Sequence, residues 1–138
     1  LRVAVGQRLV RVLAEDKEPY TLSKGEREDL EKHVDMDVVL QALQAEKVVP
    51  EDASWNDVTF YRPKENGITE DGYQGRSGIH EVFVMSPSIK EMVMDSRTGD
   101  ELQAQARKEG MLTMLEDGIF KAAKGLTSIE EVLRVINE

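Results

Sequence analysis

The first stretch of the chain, residues 1–13, mixes apolar residues with positive charges. Arginines stand at positions 2, 8 and 11, and the apolar positions between them recur at intervals of three or four: Leu1, Val5, Leu9 and Val12. Because this spacing places apolar side chains on one face of a helix, it predicts an amphipathic helix that packs on another element. Pro19 disfavours further helix and predicts a connector.

Two short helices are predicted next. Ser23 and Glu26 have the spacing of a capping box, which predicts a charged helix over about 24–33. A stripe at i, i+3, i+4 and i+7 then predicts a helix through about residue 45: Met36, Val39, Leu40 and Leu43. The following segment, "VVPEDASWND", is rich in turn-forming residues and predicts a connector.

The middle of the chain predicts strands. Residues 58–63, "VTFYRP", combine β-branched and aromatic residues and end in proline, which is typical of a strand. Residues 79–85, "IHEVFVM", alternate in the manner of a second strand. Since a polar, glycine-rich loop separates the two, we expect them to pair as an antiparallel hairpin.

The remainder of the chain has a helical pattern with explicit caps. Ser86 before Pro87 predicts a helix start, and Thr98 with Glu101 predicts the next one, which Gly110 ends. A third helix ends near residue 125. A capping box predicts the start of the fourth helix from the last pair in this half: Thr127 and Glu130.

These elements predict an α+β fold, in which a small β-hairpin lobe is followed by a compact bundle of short helices. The division between the two parts is expected near residues 86–96. The chain has 138 residues, of which 40% are hydrophobic and 33% charged, and this length and balance suit one domain or two small lobes.

The formal net charge of −9 argues against nucleic acid or an anionic membrane as the main partner, because both attract an excess of Lys and Arg. The chain has no cysteine, so it can form neither disulfides nor thiolate–zinc sites. Its sequence contains no apolar run of about 20 residues and no signal peptide pattern. It begins at Leu1, inside a predicted helix, which indicates a piece of a longer protein.

The stretch "DGYQGRSG" does not match the motifs that bind phosphate. It lacks the lysine and serine or threonine of a Walker A loop, and its glycine spacing differs from the dinucleotide fingerprint. The glycines are therefore better explained by a turn or a close backbone approach. Two isolated histidines, His33 and His80, predict no zinc site, and Ser77 lacks the surroundings of a nucleophile elbow. The residues by themselves indicate a binding or structural module.

Several segments, in this order, resemble the C-terminal end of the secretion ATPases that drive type II secretion and type IV pilus assembly. They are "QRLVRVL" at 7–13, "KEPY" at 17–20, "GYQGRSGIHEVFVMSPSIKEMV" at 72–93 and "ARKEGMLTMLEDGIFKAAKGLTSIEEVLRV" at 106–135. The residues that match the family's signature positions are Gln7, Arg8, Leu9, Gly72, Tyr73, Gly75, Arg76, Gly78, Ile79 and Glu81.

The resemblance implies a division of the chain into four parts. Residues 1–20 would be the end of the ATPase-core helix with its connector, and 21–57 a variable helical insertion. Residues 58–86 would be a degenerate metal-loop region with the β-hairpin, and 87–138 a C-terminal helical subdomain. Many family members hold zinc with two cysteine pairs. Zinc is not expected here, since the corresponding positions carry other residues: Ala14, Asp16 or Lys17, Glu65 and Ile68.

The resemblance also implies a role. The chain would be a non-catalytic part of a hexameric motor, without a catalytic residue or a cofactor of its own, and the parent protein would bind ATP and magnesium. The implied partners are the ATPase core of the same chain, neighbouring subunits of the homo-hexamer and inner-membrane platform proteins, and no nucleic acid. The implied location is cytoplasmic and peripheral at the inner membrane. The alternatives are a free-standing adaptor or regulatory domain derived from such a motor, or an enzyme with its own site.

Overall fold

The computed structural model describes residues 2–138. The strands and helices follow in chain order: β1 Val3–Leu13, β2 Glu18–Tyr20, α1 Lys24–Glu31, α2 Met36–Ala45, β3 Phe60–Arg62, β4 Tyr73–Val84, α3 Pro87–Met94, α4 Gly99–Lys108, α5 Met114–Ala123 and α6 Ile129–Ile136. A single 3₁₀ turn, Trp55–Asp57, precedes β3. The α+β class predicted from the sequence is confirmed.

The helix predicted over residues 1–13 is wrong for the described residues, because Val3–Leu13 forms strand β1, and Leu1 lies outside the described residues. Its valines are β-branched, which lowers helix propensity and suits a pleated surface. The apolar residues also fit an alternating pattern, since Val3, Val5 and Leu9 share one face of the strand and Val10 lies on the other. The antiparallel partner β4, which is far away in the chain, selects the strand over the helix.

The predicted hairpin between 58–63 and 79–85 is also wrong. Strand β4 pairs with β1 over nearly its whole length, with Val3 opposite Val84 and Gln7 opposite His80. Strand β3 pairs instead with β2, placing Tyr20 opposite Phe60. The two long strands form a two-stranded antiparallel ribbon, hereafter the ribbon, and the two short strands form a separate pair.

The caps of the helical half largely follow the prediction. Ser86 and Thr98 cap α3 and α4 through their side chains, and Gly110 follows α4 with a φ of +101°. The cap predicted for α6 is displaced by one residue, because Ser128 rather than Thr127 accepts the hydrogen bond from the third helical N–H. Thr127 is fully buried and instead donates from Oγ1 to the carbonyl of Arg11 at 2.8 Å.

Two apolar clusters hold these elements together. The larger one joins α1 and α2 with β3, α5 and α6, so that residues 21–57 share a core with the helical half. Its fully buried members include Val39, Leu43, Phe60, Ile119 and Ala122. The smaller cluster lies beneath the ribbon and contains Val10, Ile79, Val132 and Val135. Within residues 2–138 no helix is long and apolar enough to cross a membrane.

Candidate docking surface

The ribbon brings together the signature residues that the sequence keeps apart. Gln7, Arg8 and Leu9 lie on β1, opposite His80, Ile79 and Gly78 of β4. The others lie on β4 or, in the case of Gly72, directly before it: Tyr73, Gly75, Arg76 and Glu81. The signature is therefore a single antiparallel element formed from two distant segments.

The two faces of the ribbon differ in their surroundings. Val10 and Ile79 point from one face into the smaller cluster and are 2% and 0% exposed. The opposite face, hereafter the exposed ribbon face, presents large apolar side chains to solvent: Val3, Val5, Leu9, Val82 and Val84. Their exposed fractions run from 41% for Val82 to 60% for Val5. An apolar strip of this kind is typical of an interaction surface.

The outer edge of β4 is partly covered by side chains of α5. The His80 N–H donates to Asp117 Oδ2 at 2.8 Å, and Lys121 Nζ donates to the Gly78 carbonyl at 2.8 Å. Lys121 also pairs with Asp117 at 2.9 Å. Charged side chains that satisfy edge groups in this way block strand addition at this part of β4.

The outer edge of β1 is covered at only one end. The Arg11 N–H donates to Glu131 at 2.8 Å, and the Leu13 N–H donates to the Leu126 carbonyl at 2.9 Å. Along an antiparallel strand, the N–H and C=O groups of successive residues point alternately towards the partner strand and away from it. In β1 the groups of the odd-numbered residues point away from β4. From Val3 to Leu9 these outward groups make no hydrogen bond to another residue among 2–138. We call this stretch the open β1 edge.

Tyr73 fixes the start of β4 to α6. Its hydroxyl lies 2.7 Å from Ser128 Oγ, and the guanidinium of Arg11 stacks 4.2 Å from the centre of its ring. Burial raises the pKa of the Tyr73 phenol, and the hydrogen bond with Ser128 and the charge of Arg11 oppose the rise. Asp71 accepts the Tyr73 N–H at 3.1 Å. The signature tyrosine is therefore a packing anchor in this structure.

Two signature glycines have backbone angles that other residues rarely adopt. Gly72 has a φ of +83° and Gly75 a φ of +85°. A Cβ at Gly72 would lie 2.6 Å from Pro63 Cβ and 2.8 Å from the Lys64 amide nitrogen, whereas the space around Gly75 is open. Gly75 and Gly78 lie within a strand, and no helix opens after them as it would in a phosphate loop.

Alanine substitutions at Gly75 and Gly72 distinguish the cost of backbone strain alone from the cost of strain combined with a close contact. Gly75→Ala is expected to lower the free energy of unfolding by about 1 kcal/mol, the cost of a left-handed conformation for a residue with a Cβ. Gly72→Ala is expected to cost more than about 2 kcal/mol, because its Cβ also overlaps the main chain. Urea denaturation of the two variants measures the difference, and equal losses would contradict the contact at Pro63.

Two buried carboxylates, one beside the ribbon and one in the helical half, were not predicted from the sequence. The Glu131 side chain is 0% exposed and bonds Arg11 through its main chain and guanidinium, at 2.8 and 2.9 Å, and Arg134 at 2.9 and 3.0 Å. Burial alone would raise the pKa of Glu131, but the hydrogen bonds from Arg134 and Arg11 outweigh it and hold the pKa at about 2. This carboxylate joins β1 to α6.

Glu116 has the corresponding role in the helical half. It accepts two hydrogen bonds from Arg107 at 2.8 Å and two more from the N–H groups of Thr113 and Asp35. Burial again raises the pKa, and the Arg107 and main-chain donors lower it to about 2. One sequence signal could have indicated both residues, since each stands three positions after a Ser or Thr cap: Ser128–Glu131 and Thr113–Glu116.

The geometry thus defines an α+β module whose ribbon has an exposed apolar face and an open strand edge. A sequence model of the family described as type II/IV secretion system protein matches residues 1–134. The chain belongs to this family, and the resemblance drawn from its segments is confirmed.

Individual relatives agree with this membership. The chain is 43% identical over 82 residues to the type II secretion system protein E of Xanthomonas campestris pv. campestris, covering 59% of this chain and 14% of the relative. It is 31% identical over 139 residues to the type II secretion system ATPase E of Vibrio cholerae, covering 97% and 23%. It is 42% identical over 62 residues to the type IV pilus assembly ATPase PilB of Thermus thermophilus, covering 45% and 7%. The matched part therefore spans less than a quarter of these relatives.

Proposed function

We propose that this chain is the C-terminal, non-catalytic portion of a hexameric motor ATPase of type II secretion or type IV pilus assembly. Family membership supports the proposal, as do the names of the relatives and the small share of their length that this chain covers. In this assignment ATP and magnesium bind to the nucleotide-binding core of the parent protein, outside this chain. The chain contributes subunit contacts and the transmission of motion.

One observation carries the proposal, namely the open β1 edge beside the exposed ribbon face. Unpaired main-chain groups at an edge favour the addition of another strand, and apolar side chains on the same ribbon favour burial. A sheet of the nucleotide-binding core would satisfy the edge by pairing with β1, and it would bury the apolar side chains by packing over Val5 and Val82. A free-standing adaptor would need a separate partner to cover this surface, whereas the core of a motor is part of the same protein.

The internal contacts suit a part that passes on movement. Arg8 Nη1 donates to the Val135 carbonyl at 3.0 Å, and Arg11 is bound to Glu131, so the ribbon is tied to α6 at two points. A displacement of the ribbon by the core would then carry the helical half along as a rigid body. Neighbouring subunits and platform proteins at the inner membrane are the proposed receivers of this motion. The proposed location is cytoplasmic and peripheral to that membrane, and the net charge of −9 disfavours nucleic acid as a partner.

The docking role predicts a strong effect of charge on the exposed ribbon face. Val5→Lys in the complete motor protein is expected to reduce hexamer-dependent ATP hydrolysis by roughly tenfold or more, because a buried contact would receive an unpaired charge. In the isolated chain the same change is expected to alter the free energy of unfolding by less than about 0.5 kcal/mol, since Val5 is 60% exposed. Steady-state ATPase assays and size-exclusion chromatography measure the first effect, and urea denaturation measures the second.

A matched control is Met94→Lys at the end of α3, which changes an apolar side chain that is 85% exposed and lies outside the ribbon. This variant should retain hexamer formation and hydrolysis. Normal activity of Val5→Lys, or equal losses in both variants, would refute docking through the exposed ribbon face.

A further inference from the structure

Two segments of the chain correspond to the places where many family members carry zinc-binding cysteine pairs. The first runs from Ala14 to Lys17, directly after β1. The second lies in the loop between β3 and β4, around Glu65 and Ile68. The structure brings the two segments together, since the Ala14 N–H donates to the Gly72 carbonyl at 2.9 Å. This bond joins the first segment to the end of the loop that contains the second.

The side chains at these positions do not fit a zinc ion. Ala14 and Ile68 offer no donor atom, and Lys17 extends over the ring of Tyr61 at 5.2 Å. Zinc in a structural site takes four nitrogen, sulfur or carboxylate ligands in a tetrahedron. Among residues 2–138, no three His, Cys, Asp or Glu side chains are arranged to hold a metal ion. The donor set on its own therefore disagrees with the family's metal.

The Asp16 carboxylate connects the two segments. Its Oδ2 atom accepts the main-chain N–H of Ile68 at 2.7 Å, across 52 positions of the chain. A hydrogen bond of this length to an ionised acceptor is of the strong, charge-assisted kind. The bond therefore spans the gap that a metal would bridge in a relative with cysteines.

The loop is shaped around this carboxylate. A Cβ at Gly67 would overlap Asp16 Oδ2 and would lie 3.0 Å from Asp16 Cγ. The preceding residue, Asn66, has a φ of +58°, and its N–H donates to the Glu70 carbonyl at 3.0 Å. Because Gly67 has no side chain, the carboxylate can approach the main chain closely enough to bind the next N–H.

We infer that the bond from Asp16 to the Ile68 amide replaces the metal in this chain and closes the loop of residues 63–72 without an ion. The closed loop ends at Gly72 and Tyr73, where β4 begins and is anchored on α6. The Asp16 bond thus positions the start of the signature strand. Loop closure in this chain is independent of metal supply and of thiol oxidation.

The full chain tests this inference with two variants that break the bond in different ways. Asp16→Ala removes the acceptor, and Gly67→Ala displaces it by contact. In both variants, hydrogen exchange at the Ile68 amide is expected to be roughly tenfold to a hundredfold faster, the range for a lost bond to a charged group. NMR-detected exchange measures this rate, and limited proteolysis after Lys64 should accelerate in parallel. Wild-type exchange in Asp16→Ala would overturn the inference.

Two further variants test the acceptor, and the addition of zinc or a chelator distinguishes the bond from a metal site. Asp16→Asn keeps an oxygen acceptor and should retain most of the protection at Ile68, whereas Glu65→Ala changes an exposed loop residue and should retain all of it. The melting temperature of the unmodified chain should be the same with added zinc and with a chelator. Zinc bound at one ion per chain in native mass spectrometry, together with destabilisation by the chelator, would overturn the inference.

Discussion

Glu131→Ala is expected to lower the free energy of unfolding by about 3 kcal/mol, near the lower limit for removal of one member of a buried ion pair. The side chain is 0% exposed and accepts hydrogen bonds from Arg11 and Arg134. Its loss leaves the outward N–H of Arg11 without an acceptor, while the two guanidinium groups, at 39% and 48% exposure, can regain water. Urea denaturation near pH 7 measures the effect.

The effect of Glu131 depends on pH in a defined direction. Its pKa is lowered from an ordinary value of 4.5 to about 2 in the folded state, so the unfolded state binds the proton more readily. The stabilisation is therefore fully present above about pH 4.5 and is lost as the pH falls towards 2. The difference between the wild type and Glu131→Ala should shrink over this window. A difference that stays constant from pH 6 to pH 2.5 would contradict the depressed pKa.

The adjacent residue provides the control for this prediction. Glu130 is exposed on the same first turn of α6, so Glu130→Ala has the same change of charge and helix position without the buried contacts. Its loss should be within about 0.5 kcal/mol, as for most surface substitutions. Equal losses in both variants would show that first-turn charge, rather than the ties to Arg11 and Arg134, stabilises α6.

Glu116→Ala is expected to have an effect of similar size, about 3 kcal/mol, for removal of a buried ion-pair partner. The carboxylate is 1% exposed and connects three parts of the fold: Arg107 of α4, Thr113 before α5 and the Asp35 N–H before α2. Its removal should therefore also loosen the contact between the α1–α2 pair and α5. Urea denaturation measures the free energy, and hydrogen exchange at the Asp35 amide reports the loosening.

Substitutions of Arg107 and of the exposed Glu109 show how much of the Glu116 effect comes from the ion pair. Arg107→Ala combined with Glu116→Ala should cost less than the sum of the single changes, because both remove the same bidentate pair. Glu109→Ala, an exposed carboxylate at the end of α4, should have little effect. Simple additivity of the two single losses would contradict a direct pair. The depressed pKa of about 2 again places the loss of this contribution below about pH 4.5.

The sequence alone determined the local features of the helical half. Serine and threonine caps, a proline at the first helical position and a glycine after α4 act within a few residues, so their signals were readable without tertiary information. The family resemblance could also be recognised from the sequence, because it depends on the order of short segments and not on geometry. The one-residue displacement of the α6 cap arose because Thr127 and Ser128 both satisfy the capping pattern, and contact with Arg11 selects between them.

Tertiary structure alone decided the ribbon. Residues 1–13 suit a helical or an alternating pattern, and pairing with the distant strand β4 selects the strand for Val3–Leu13. Strand propensity depends on local sequence, whereas the partner of a strand can lie at any distance along the chain. The periodicity of residues 1–13 could therefore identify neither β4 as the partner nor the open β1 edge. The burial of Glu131 and the bond from Asp16 to Ile68 have the same origin, because each joins residues that only the folded chain brings together.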